Sequence, residues 1–190
     1  QISKGITHAI EDRKRYRFAP KFVPAGQSTQ MIVGATNDSD RSILLATEKL
    51  YKTFNMKRVY FSAYVPVNKG NNLPAINSAP PLLREHRLYQ ADWLLRFYKF
   101  EASELLSDTE MNFDLDFDPK MNWALRNMDK FPVEINNVDY ATLLRIPGIG
   151  VKSAMRIVRQ RKVIKIQYED LKKMGVVLKR ARFFLECSGK

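Results

Sequence analysis

The chain has 190 residues, 45% of them apolar, and a formal charge of +12, enough for one ordinary domain or two small ones. No run approaches the ~18 uncharged apolar residues of a membrane span, and the N-terminus has no apolar core of signal-peptide type. One cysteine, Cys187, and two histidines, His8 and His86, exclude an internal disulfide and a zinc or iron–sulfur cage built by this chain alone, and fit a reducing, cytoplasmic compartment.

The charge is unevenly placed. Residues 137–190 hold 13 Lys/Arg against 4 Asp/Glu, whereas residues 1–136 hold 19 against 16. A compact basic module at the C-terminal end implies a polyanion partner, nucleic acid ahead of an anionic membrane surface. The chain opens on Gln1, which raises the expectation of a fragment or a processed product.

In chain order, residues 1–20 form a basic amphipathic helix that stops at Pro20. TQMIVG is β-rich between Gly26 and Gly34 and predicts a buried strand. NDSD at 37–40 offers Asp38 or Ser39 as a cap for an amphipathic helix over 41–54. KRVYFSAYVPV, 57–67, predicts a second strand, so a βαβ unit and a parallel sheet are expected. A long polar loop, 68–81, leads to a long helix over 82–100. The acidic stretch after it reads as short helix, loop and short helix containing Trp123, and FPVEINN is an extended connector.

The basic module is the most informative segment. Asp139 can cap a helix ending near Ile146; Pro147-Gly148-Ile149-Gly150 must turn the chain, with both glycines supplying backbone angles closed to larger residues. A second helix runs from Val151 to about Arg161, with Ile149 plugging the gap between the helices. Its first N–H groups lack internal partners and lie at the positive end of the helix dipole, a natural seat for a phosphate oxygen. Lys152 and Ser153 can add charge and a hydroxyl, and Arg156 and Arg159 can reach neighbouring phosphates. Such contacts are blind to base identity. The pattern recurs 27 residues on: Gly175 matches Gly148, Lys179 matches Lys152 and Leu178 matches Val151, with Val177 where the first copy has Gly150.

Residues 135–161 resemble the helix-hairpin-helix family, whose hallmark is a PGIG turn after L-x-x-I/L, and the two copies look like a tandem helix-hairpin-helix domain. The resemblance implies binding to the backbone of duplex DNA, sometimes with a monovalent cation at the hairpin. Gly148, Ile149, Gly150, Lys152 and Ser153 carry over as binding positions; in the second copy Gly175, Lys179 and Arg180 do, while the Cβ of Val177 obstructs close approach. An RNA-binding or protein-docking module without a DNA role is the alternative.

The segment from Lys21 to Val67, followed by APPLLREHRLYQADWLLRFYKF, is similar to the C-terminal half of the core of radical S-adenosylmethionine enzymes, closest to a bacterial group of DNA modification or repair proteins. That resemblance implies a partial-barrel α/β portion over 1–130 and an all-α tandem hairpin domain over 131–190. It also implies a missing N-terminal part of the same protein, carrying three cysteines that would hold a 4Fe-4S cluster and S-adenosylmethionine. Thr29, Gln30, Gly34, Tyr64 and Val65 match the strands that line the family's cofactor cavity.

Other patterns point to structure. Asp114, Asp116 and Asp118 alternate, but the glycine and glutamate of a calcium loop are missing, which leaves a solvated acidic loop. Arg84-Glu85-His86-Arg87 face different sides of a helix and suit ion pairs. Trp93, Phe97 and Tyr98 have the spacing of core residues.

Overall fold

A computed structural model describes residues 1–189. The chain divides into two compact units, the first ending at Tyr89 and the second beginning at Gln90. Residues 90–130 thus cluster with the C-terminal segment.

The first unit holds α1 (Ile2–Arg15), β1 (Ser28–Val33), α2 (Asp40–Phe54) and β2 (Arg58–Ala63), and α3 (Leu82–Tyr98) begins within it. Helix α2 starts at Ser39, whose side chain accepts the Ser42 N–H at 3.1 Å. It ends at Asn55 in the left-handed region, φ 49°, where asparagine is tolerated. Strands β1 and β2 pair in parallel, with Ser28 opposite Arg58 and Val33 opposite Ala63. Along β2 alternate residues, Val59, Phe61 and Ala63, are buried, so one face of the pair meets the core and the other meets water. Tyr89 spans that core: its hydroxyl accepts the Phe61 N–H at 3.1 Å and donates to the Phe61 carbonyl at 2.8 Å. Asp40 is fully buried and paired with Arg84 at 2.8 Å.

The partial-barrel expectation is overturned here. The sheet has two strands only. After β2 the proline- and asparagine-rich run stays irregular until α3 begins, so no third strand extends the sheet. Strand β1 also differs from the expected buried strand, with Ile32 half exposed.

The second unit contains the end of α3, α4 (Ala102–Leu105), α5 (Pro119–Arg126), a single 3-10 turn over Met128–Lys130, β3 (Val133–Glu134), α6 (Tyr140–Arg145), α7 (Val151–Gln160), α8 (Asp170–Lys173), α9 (Leu178–Ala181) and β4 (Leu185–Glu186). It is not all-helical. The extended connector and the chain after α9 meet as a second parallel pair, Val133 opposite Leu185 and Glu134 opposite Glu186. The FFLEC segment favours extended structure, which truncates α9 to one turn. Arg145 ties the unit together. It donates to the carbonyls of Tyr98 and Lys99 at 3.1 and 3.2 Å, pairs with Glu104 at 3.0 Å and lies 3.8 Å from the Phe100 ring centroid. Ile135, Leu144, Ile157 and Leu171 fill the core, fully buried.

No helix of the described residues is long and apolar enough to cross a membrane. Replacing Arg84 with Met leaves the Asp40 carboxylate buried without its guanidinium. Because Arg84 is partly exposed, a loss of about 2 kcal/mol is expected, below the usual cost of breaking a fully buried pair. Denaturant unfolding of the folded variant measures it.

Candidate functional site

The turn between α6 and α7 follows from its flanks. The Asp139 carboxylate accepts the Thr142 N–H at 2.7 Å, which starts α6 and holds that carboxyl below its ordinary pKa. Pro147 cannot continue the helix, and Ile146 is already extended at ψ 122°. Gly148 then reverses the chain at φ +86°. Gly150 does not share that role: at φ −98° and ψ 172° it is extended backbone that any residue can adopt.

Every carbonyl of the bend from Ile146 to Ile149, apart from that of Pro147, has an internal donor. The Ile146 carbonyl accepts the Ile149 N–H at 3.1 Å, and the Gly148 carbonyl accepts the Val177 N–H at 2.9 Å. The Ile149 carbonyl accepts the Lys120 ammonium, Nζ at 2.6 Å. The Ile149 side chain is 1% exposed. The N–H side differs. Ala154 donates back to the Gly150 carbonyl at 2.8 Å, closing the first bond of α7, and the Tyr98 hydroxyl lies beside the turn, 3.4 Å from a Cβ placed on Gly150. Among the described residues nothing accepts the N–H groups of Gly150, Lys152 or Ser153. These donors stand at the positive end of a ten-residue helix.

The side chains divide more sharply than the sequence suggests. Lys152 and Arg159 are exposed and make no ion pair among the described residues. Ser153 is buried, and its hydroxyl donates to the Gly175 carbonyl at 2.9 Å; it locks the two turns together instead of facing outward. Arg156 is exposed but gives one N–H to the Met174 carbonyl at 3.2 Å, closing the end of α8. In the second copy Gly175 repeats the bend at φ +85°, and Lys179 is exposed. Arg180 is paired with Asp118 while its side chain stays 43% exposed, and the Val177 amide is spent on Gly148. With α9 only four residues long, the second turn offers no comparable set of donors.

Lys120 and Tyr98 complete the site; Lys120 did not stand out in the sequence, and Tyr98 was read only as a core residue. Lys120 is buried, with Nζ 4.8 Å from the Tyr98 ring centroid. Burial pushes its pKa down to about 7; Asp118 pulls it up, and Arg180 and Arg145 push it further down. Burial also raises the Tyr98 hydroxyl above its ordinary value, against hydrogen bonds from Val151 and Trp93. The monovalent cation implied at the hairpin does not fit, because an ammonium already occupies the Ile149 carbonyl and an amide the Gly148 carbonyl.

The other implied groups find no preformed site. Thr29 and Gln30 lie on β1, Gly34 follows it, and Tyr64 and Val65 follow β2, but a two-stranded sheet encloses no barrel cavity. Cys187 is buried, donates to the Ile166 carbonyl at 3.1 Å, and is pushed up in pKa chiefly by burial. Among the described residues no group of three or more His, Cys, Asp or Glu could hold a metal ion. Asp114 serves a turn, accepting the N–H groups of Asp116 and Phe117 at 2.7 Å each, and Asp118 caps α5. Comparisons with protein-family models, curated proteins and solved structures find no match to this chain.

A Cβ at position 148 would lie 2.6 Å from the Val177 carbonyl oxygen and 3.2 Å from the Ala181 nitrogen, at a positive φ. Gly148→Ala is therefore expected to cost about 1–3 kcal/mol, while Gly150→Ala, whose Cβ meets only the Tyr98 hydroxyl at 3.4 Å, costs well under that; denaturant unfolding of the two variants compares them. Lys120 sets a pH dependence. Its folded pKa of about 7 lies below its ordinary 10.5, so between these values the unfolded chain binds more protons. The associated stability is complete above the higher value and is lost as pH falls toward the lower. Relative to Lys120→Met, the wild type should gain stability from pH 7 to 10 at up to about 1.4 kcal/mol per pH unit; parallel pH profiles of the two unfolding free energies would contradict this.

Proposed function

We propose that the first hairpin binds the sugar–phosphate backbone of duplex DNA without reading base sequence. One observation carries the reading: the N–H groups of Gly150, Lys152 and Ser153 have no acceptor among the described residues, while the neighbouring carbonyls are tied inward. A phosphate oxygen complements such donors in both hydrogen bonding and charge. The exposed Lys152 side chain stands in the first turn of α7, where it adds a point charge to the same anion.

The surroundings support the reading. Arg159, Lys162, Lys165, Lys172, Lys173 and Lys179 are all exposed, whereas Arg145, Arg161 and Arg180 are committed to internal partners. The exposed positive charge of the segment is therefore mostly lysine, with only Lys173 of these six in an ion pair among the described residues (Asp170, 3.9 Å), suited to neutralising a phosphate rail by counterion release and poorly suited to bidentate base readout. Affinity in this arrangement falls with salt and varies little with base composition.

The test is duplex affinity at two salt concentrations for the wild type, Lys152→Glu and Gly150→Val, with single-stranded DNA and structured RNA as competitors. Each variant is expected to lose roughly 1–3 kcal/mol, and Lys152→Glu should flatten the salt slope by about one unit. Unchanged binding by both folded variants overturns the reading, as does a clear preference for structured RNA.

A further inference from the structure

The helix that delivers Tyr98 to the hairpin also presents an aromatic surface that the backbone grip does not use. Trp93 and Phe97, one turn apart on α3, are 53% and 43% exposed, although their spacing suits a core. Their rings lie against each other, with centroids 4.3 Å apart and planes tilted by 47°. The Arg96 guanidinium sits 4.8 Å from the Phe97 centroid and 5.9 Å from that of Trp93,. It is held there by Asp92, at 2.7 Å. Leaving two large aromatic rings in water forgoes favourable burial, whereas Trp123, the other tryptophan, is 6% exposed.

This surface is continuous with the proposed phosphate grip. Tyr98 follows Phe97 directly on α3, and its hydroxyl reaches the turn that opens α7. A Cβ at Gly150 would lie 3.4 Å from the same hydroxyl. The aromatic pair and the hairpin amides are thus joined through one residue of α3. Paired bases cannot use such a platform because they are stacked within the duplex; an unpaired base can. The flanking guanidinium favours the π-face of a base and repels a cationic peptide.

Resting on the backbone-binding reading above, we infer that Trp93 and Phe97 form a stacking platform for an unpaired nucleobase whose phosphate the hairpin holds, so that the preferred ligand is a duplex carrying a single-stranded tail.

The experiment measures affinity of the full chain for a blunt duplex and for the same duplex with a short single-stranded tail, in the wild type, Trp93→Ala, Trp93→Phe and Lys152→Glu. The wild type should prefer the tailed duplex by at least about fivefold, the lower bound for one stacked base. In Trp93→Ala the ratio of the two affinities should fall to about one, and Trp93→Phe, which keeps an aromatic ring, should retain most of it. The tailed duplex should also quench wild-type tryptophan emission and fail to quench it in Trp93→Phe. Equal affinities for the two ligands in the wild type, or a tail preference that survives in folded Trp93→Ala, overturns the inference and leaves the backbone grip standing. Failure of the wild type to bind either ligand, or binding insensitive to Lys152→Glu, overturns the grip and the platform with it.

Discussion

The contact on which the hairpin depends is the hydrogen bond from the Val177 N–H to the Gly148 carbonyl at 2.9 Å. It joins the two turns at their closest approach, where even a methyl group on Gly148 would collide with the Val177 carbonyl. Ser153 adds a second tie, to the Gly175 carbonyl. Neither four-residue helix of the second copy could hold a bent turn in place alone; the two copies fix each other and bury Ile149, Ala154 and Ala181 between them.

This mutual bracing explains the polarity of the bend. The carbonyls of Ile146, Gly148 and Ile149 are satisfied within the protein, the last by the Lys120 side chain taken out of water. Burying Lys120 is costly, as its depressed pKa shows, and the cost is tolerated because a peptide carbonyl and the Tyr98 ring face receive the charge. In a trans peptide the Ile149 carbonyl and the Gly150 N–H point in opposite directions. A cation on the oxygen therefore polarises the same peptide whose N–H faces outward. The second copy has spent its equivalent amide on holding the first, so the repeat is asymmetric: one turn supports and the other is left with donors to spare.

Much of this was legible in the sequence, and the parts that were not share a cause. The bend glycines Gly148 and Gly175 were readable from spacing, and both adopt φ near +85°, because a local backbone requirement leaves a local signature. Helices α2, α3 and α7 followed from periodicity and caps. The partial barrel did not form, since a βαβ unit specifies one pair of strands and says nothing of a third. Of segment 131–137 only Val133–Glu134 is strand, and residues 135–137 turn; the strand's partner, Leu185–Glu186, lies some fifty residues away, and long-range pairing turned an expected all-helical module into a mixed one. Lys120 escaped notice, and Asp118 was read only as part of a solvated loop, for the same reason: their partners are 29 and 62 residues distant. Ser153 was assigned outward from its position on a helix, yet its hydroxyl is buried on the Gly175 carbonyl, and Arg180 is tied to Asp118. Trp93 and Phe97 show the converse, since apolar spacing identifies a face without saying what it meets.

The central claim is that the outward amides of the first turn receive the phosphate. Backbone amide chemical shifts during titration with a short duplex test it most directly. The account requires the resonances of Gly150, Lys152 and Ser153 to move early and together, with Val177, already bonded to Gly148, responding little. If the largest shifts fell elsewhere while those three stayed still, the hairpin would not be the contact and the account would be wrong.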